Sequence, residues 1–333
     1  MKGDGLRERA RDFDAMLGRC TLCPRRCRVD RTAGERGFCG MSTVPRIACA
    51  LPHHGEEPPL SGVSGAGTIF FSSCTLRCVY CQNHEISHAR AGFDVSTGDI
   101  ADMIVRLARQ GCHNIEAVTP TPHLAPFLYG LAVARDEGVT LPVVYNSSGY
   151  ESAEVIRMLD GVVDIYLPDC KYGTDCVGVA LSRVNDYVSS ALAAIRAMVA
   201  QVGSALVMRG NVATRGVIIR HLVLPGMVEN SLAVLRLLAE NVPLTVPLSI
   251  MAQYTPTPQV RAHPSLGRTV TETEYRRVVD AACEMGFEYL FVQDVSDAVH
   301  DLPDFSRDDP FEATMAVDGE GGPMRDMPGA GGR

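Results

Sequence analysis

At 333 residues the chain is long enough for one large α/β barrel or two smaller domains, and its 46% hydrophobic content supports a sizeable core rather than wholesale disorder. A net charge of −8 argues against a general nucleic-acid binder or anionic-membrane binder, either of which would carry a basic surface. Twelve cysteines, no apolar signal segment at the start and no apolar run near the roughly 20 residues of a membrane helix point to a reducing, cytoplasmic setting in which thiols serve metal.

Residues 1–45 hold four cysteines and many arginines with little apolar periodicity, and read as a Cys-rich metal-binding segment. In it, Cys20-Thr-Leu-Cys23-Pro-Arg-Arg-Cys27 is followed by Cys39. C-x2-C with two further cysteines is ligand spacing for structural zinc, and it equally suits an auxiliary 4Fe–4S cluster with every iron ligated. A compact knuckle leans towards zinc. The neighbouring Arg25, Arg26, Arg28 and Arg31 either touch a partner or form a solvated charged face.

Residues 46–302 alternate short apolar runs with helical patterns. Strand-like runs fall at 68–71, 115–118, 142–145, 162–167, 217–224, 246–251 and 290–292. Between them, Ile100, Met103, Ile104 and Leu107 recur at helix spacing and stop at Gly111. Val228, Leu232, Leu235 and Leu238 mark a second helix. Thr271-x-x-Glu274 has capping-box form ahead of Val278, Val279, Ala282 and Met285. Strands alternating with helices imply parallel pairing in a barrel or a doubly wound sheet. The strand ends are polar: Cys74, Thr119 and Thr121, Asn146 and Ser148, Asp169 and Lys171, then Gln253 and Gln293, with Arg220 and His221 inside a strand. Active sites of barrels lie at those ends. Residues 303–333, rich in Gly, Pro, Asp and Met, read as a disordered tail.

The chemistry concentrates in FFSSCTLRCVYCQN, where Cys74, Cys78 and Cys81 stand in C-x3-C-x2-C spacing straight after a strand. A compact iron–sulfur cluster needs several thiolates from a short stretch of backbone. Three thiolates leave a fourth iron without a protein ligand, and an open coordination position is what makes a metal site reactive. The residues alone leave open a zinc site borrowing His84 or His88, and a set of unrelated buried thiols.

C-x3-C-x-Tyr80-C, preceded by an apolar strand and followed by Gln82-Asn83, closely resembles the signature of the radical S-adenosylmethionine (SAM) superfamily. GAGTIFFSSC, DIYLPDCKYG, RHLVLPG and MAQYTP are similar to the pyruvate formate-lyase activating enzyme homologue subfamily, over about residues 20–300. One departure is Ser73, where that pattern has Gly. The resemblance implies a partial (β/α)6 TIM-like barrel with an N-terminal Cys-rich metal knuckle. It implies a 4Fe–4S cluster on Cys74, Cys78 and Cys81, SAM as co-substrate, and a reductant such as flavodoxin or ferredoxin. The substrate would be a glycyl-radical enzyme or another protein or small molecule. By the same resemblance Tyr80 contacts adenine, Asp169 and Lys171 help hold the methionyl and ribose groups, and His221 lies near SAM. Asn146 and Ser148 end a strand near the expected SAM carboxylate. Thr119 and Thr121 occupy the place of a Gly-Gly-Glu-like clamp that is absent in recognisable form.

His54, Glu56 and Glu57 form a further polar cluster. Carboxylates beside proline are usually solvated or structural, yet this stretch runs directly into the cluster strand. His54 and Glu56 are therefore catalytic candidates at the barrel mouth. The rival from another class is a zinc-binding interaction module with both cysteine sets structural.

Overall fold

The apolar runs become strands, and their pairing order decides which side chains meet. The computed structural model describes residues 1–295 and 302–312. Its strands are β1 Arg46–His53, β2 Ala66–Phe71, β3 Phe93–Asp94, β4 Ile115–Val118, β5 Val143–Ser147, β6 Ile165–Pro168, β7 Val207–Arg209, β8 Val212–Val217, β9 Ile219–Leu222, β10 Leu248–Met251 and β11 Leu290–Val292. β2, β4, β5 and β6 pair in parallel in that order. β8 pairs in parallel with β6 and runs on into β9. A bridge between Asp169 and Arg220 continues the curve from β6 to β9, and β9, β10 and β11 are again parallel.

Parallel neighbours need a long crossover, usually a helix. Thr97–Arg109, Leu124–Asp136, Ala153–Met158, Tyr187–Val202, Val228–Asn241 and Glu272–Glu284 fill that role. The fold is thus mixed α/β with a parallel, partial TIM-like barrel of β2, β4, β5, β6, β9 and β10, and β11 adds a short further strand at the open edge. On the other edge β1 runs antiparallel to β2, and β3 antiparallel to β1. Among the described residues, no pairing joins β11 to that edge.

Of the three helices read from the sequence, Glu272–Glu284 starts at its expected capping box. The Thr271 hydroxyl accepts from the Glu274 amide at 3.3 Å, and the Glu274 carboxylate accepts from the Thr271 amide at 2.9 Å. Arg268 adds two bonds of 2.7 Å to the same carboxylate, and these lower Glu274 to about 2. Thr271→Ala removes the cap and should cost about 1 kcal/mol, read as a lower urea midpoint at unchanged slope. An unchanged midpoint would show that the cap contributes nothing.

Two segments differ from expectation. Gly3–Ala15 is a helix that buries Leu6, Ala10 and Phe13 against the helix Leu124–Asp136. Its charged residues outnumber its apolar ones, which hides the 3.6-residue period within the segment 1–45. The expected tail at 303–333 begins too early. Phe305 and Phe311 pack on Phe70 with ring centroids 5.8 and 5.3 Å apart, and the Phe305 amide donates to Glu85 at 3.1 Å. Two aromatic rings suffice to anchor an otherwise polar stretch. Residues 313–333 lie outside the described residues.

Candidate functional site

Side chains alternate across each strand, so residues two apart share a face. On the inner face Leu60, Val144, Ile165, Leu167, Ala213 and Ile218 form an apolar plug towards the strands' N-terminal ends. Beyond the plug the interior turns polar and opens into a cavity of about 200 Å³.

Cys74, Cys78 and Cys81 line that cavity from the loop after β2 and are unbridged. The loop needs left-handed backbone at Ser73, with φ +81°, and at Arg77, with φ +56°. This explains the glycine expected at 73. Serine bears the strain there and adds a compensating bond, its hydroxyl donating to the Cys39 carbonyl at 2.7 Å. Tyr80 is buried beside Tyr172 and Tyr254, at centroid distances of 6.5 and 6.2 Å. After β5, Gly149 is required, because a Cβ there would sit 1.9 Å from the Asp169 carbonyl at φ +74°.

From the thiols a chain of charges runs across the barrel. Lys171 Nζ donates to Asp169 at 2.5 Å, and Arg220 Nε donates to the other Asp169 oxygen at 3.1 Å. Arg220 also reaches Glu56 at 3.0 Å and Asn146 Oδ1 at 2.7 Å. Asn146 Nδ2 then donates to Glu116 at 2.7 Å. Burial works to raise the Asp169 carboxyl, but Lys171 and Arg220 outweigh it and hold the group below its ordinary value. Burial works to lower Lys171 and Arg220, but the carboxylates raise both. Glu116 and Glu57 are pushed up, chiefly by burial. Arg220, set only as one polar strand residue by sequence, is the hub.

The structure brings Cys74, Cys78, Cys81, Tyr80, Glu56, Asn146, Ser148, Asp169 and Lys171 to this one cavity. Asn146 spends its amide on Glu116 and Arg220, so it is a bridge inside the barrel as well as a wall residue. Three expected residues are elsewhere. His221 alternates outward from the Arg220 position and is fully buried, with its ring nitrogens 2.7 Å from the Cys170 carbonyl and 2.8 Å from the Ser231 hydroxyl. Burial lowers it to about 4, so it is a satisfied neutral core histidine. His54 is exposed, and His53 takes its place, lining the cavity and packing on Phe311 at 4.4 Å. Thr121 likewise turns away, bonding to Glu151 at 2.8 Å, while Thr119 remains in the wall.

The residues present fit a thiolate-bound cluster and a polar co-substrate. Three thiols and a lysine share one cavity with a tyrosine ring, and Asn83 Oδ1, also in its lining, has no hydrogen-bond partner among the described residues. Among the described residues no three His, Cys, Asp or Glu side chains converge on a single-ion position. A lone zinc requires sulfurs about 2.3 Å from one centre, whereas a cluster spreads its thiolates over a larger body.

Cys20, Cys23, Cys27 and Cys39 line a separate, small cavity of about 20 Å³ with Phe38 and Thr75. Arg25 locks this knuckle to the cluster loop. Its Nε donates to the Thr75 carbonyl at 2.7 Å and its Nη2 to the Ser182 carbonyl at 3.0 Å, while its guanidinium lies 3.3 Å over the Phe38 ring.

Comparison with known proteins agrees with this geometry. Residues 68–200 match the Radical SAM superfamily model, so the chain carries a domain of that superfamily. An uncharacterized protein of Methanocaldococcus jannaschii is 29% identical over 283 residues, covering 82% of this chain and 76% of the relative. The crystal structure of Streptococcus suis SuiB bound to precursor peptide SuiA aligns at a TM-score of 0.46 and 10% identity, covering 68% of this chain and 48% of that one.

Proposed function

We propose that this chain is a radical SAM enzyme that holds a 4Fe–4S cluster on Cys74, Cys78 and Cys81 and directs hydrogen abstraction at a substrate in the same cavity. The convergence of three unbridged thiols, Cys74 and Cys78 buried and Cys81 half-buried, with Tyr80, Asp169 and Lys171 on that cavity carries the reading. When bound, the cluster and SAM supply one-electron cleavage of SAM to methionine and a 5′-deoxyadenosyl radical. The chain's own residues position and shield. Lys171, kept ionised by Asp169, is a partner for the methionyl carboxylate. Asp169 accepts from ribose hydroxyls, Ser148 adds a hydroxyl, and Tyr80 offers a ring to adenine. Phe70 and Phe311 exclude water from the mouth. The electron would come from a flavodoxin or ferredoxin.

Anaerobically prepared protein should be brown, with absorption near roughly 400 nm and about four irons and four sulfides at this site. Dithionite with SAM should yield 5′-deoxyadenosine; none from fully loaded protein would overturn the reading. A colourless protein with zinc alone would favour the interaction module. The motif resemblance makes a backbone glycine of a glycyl-radical enzyme one substrate, detected as an organic radical signal on that partner.

The second thiol set, Cys20, Cys23, Cys27 and Cys39, is likewise not gathered on a single-ion position among the described residues, and would hold an auxiliary cluster or, with its thiols drawn together, zinc; counting zinc, iron and sulfide in a Cys23→Ala variant separates the two. Because Arg25 bonds directly to the cluster loop, Arg25→Ala should let a chelator strip the radical-site iron about tenfold faster, the value of one charged hydrogen bond. Equal stripping rates would show that the two sites are uncoupled.

A further inference from the structure

The connection between β1 and β2 dips into the barrel, and Glu57 sits in it. Glu57 is 6% exposed and lines the cavity that holds the three thiols, yet its Oε2 has no hydrogen-bond partner among the described residues. An unpaired buried polar atom costs on the order of 1–3 kcal/mol, which a well-placed ligand atom would recover. We infer that Glu57 is a neutral hydrogen-bond donor that holds a carbonyl oxygen, such as that of an amide, on the substrate. The inference rests on the radical reading for its purpose and names the chemical class that this end of the cavity takes.

The surrounding charges give the ligand its character. Glu57 faces Glu56 on its own segment, Arg220 on β9, Ser249 on β10 and Glu116 on β4. Among the described residues Asp169, Glu56, Glu57 and Glu116 thus share two cations, Arg220 and Lys171. Arg220 is already spent on Asp169, Glu56 and Asn146. Two carboxyls are therefore in excess, and burial favours keeping them protonated; the direction found for both Glu57 and Glu116 is upward. A protonated carboxyl offers one O–H donor. A carboxylate ligand would bring an unpaired anion to this wall, whereas a neutral carbonyl needs only the donor.

The test is infrared difference spectroscopy on the cluster-loaded protein without reductant, with acetamide and methylammonium as probes. Subtracting Glu57→Gln from wild type should isolate a protonated carboxyl band at neutral pH. Acetamide should shift that band to lower frequency. Glu57→Gln, which keeps an N–H donor, should bind acetamide within about threefold of wild type, and Glu57→Leu should lose about tenfold, the worth of one buried hydrogen bond. Absence of the band, or its conversion to carboxylate by methylammonium with no response to acetamide, would overturn the inference and indicate a cation site. None of these readouts needs SAM cleavage. Failure of the radical reading would appear separately, as missing 5′-deoxyadenosine.

Discussion

Cys78→Ala should abolish 5′-deoxyadenosine formation and bleach the radical-site absorption, while leaving the chain folded. Cys78 is the middle thiol of the set, 5% exposed, and lines the cavity between Cys74 and Cys81 in sequence. Removing it leaves two thiolates, too few to hold a cluster with one open iron position. The cost to folding is small by comparison, because the cluster loop is pinned independently. Val79 donates to the Leu181 carbonyl at 2.9 Å, and Arg77 donates to the Phe38 and His88 carbonyls at 3.2 and 3.0 Å. The expected pattern is therefore a rate loss of several orders of magnitude with circular dichroism unchanged. Product at more than a few per cent of wild type would sink the assignment of Cys78 as a cluster ligand.

Arg220→Met should be the most damaging substitution outside the cysteines. The guanidinium is 14% exposed and is shared by Asp169 and Glu56, which are themselves 13% and 8% exposed. Removing one partner of a buried ion pair leaves an uncompensated charge and typically costs about 3–5 kcal/mol. Methionine fills the volume but returns no charge, so the loss is electrostatic. Adding Glu56→Gln to Arg220→Met removes the orphaned carboxylate and should recover part of that loss, a coupling that a double-mutant cycle in urea unfolding reads directly. If Arg220→Met unfolds at the wild-type midpoint, or if the two changes are additive, Arg220 is not the hub.

What was legible in the sequence was what is local. The triad lies within eight residues of one loop, and the cap at Thr271 needs only Glu274 three positions on, so neither depends on how strands pair. The mirror cap at Ser96 and Asp99 is equally local. The facing of strand residues is not local. β1 shifts register between Ile47 and Cys49, which moves the alternation of every residue after it, and so His53 rather than His54 reaches the cavity. In β9, Arg220 and His221 are adjacent, so only one can face inward; Arg220 does, and the histidine is left to the helices outside. Glu116 sits within an apolar run, where a single carboxylate among Ile115, Ala117 and Val118 was the available signal for an inward polar position. Its partner Asn146 comes from the next strand, and only the parallel pairing of β4 with β5 brings them together.

The packing of Phe311 on His53 and Phe70 also sets an order of assembly. The cavity's thiols belong to the first third of the chain, and the aromatic rings that complete its mouth belong to the last tenth. At about 5–20 residues per second of synthesis, the interval between them is on the order of tens of seconds. Through that interval the cysteine loop can exist on the ribosome before its final cover has been made. A cluster inserted while residues 305–311 are still unpacked would be covered once Phe311 docks on His53 and Phe70.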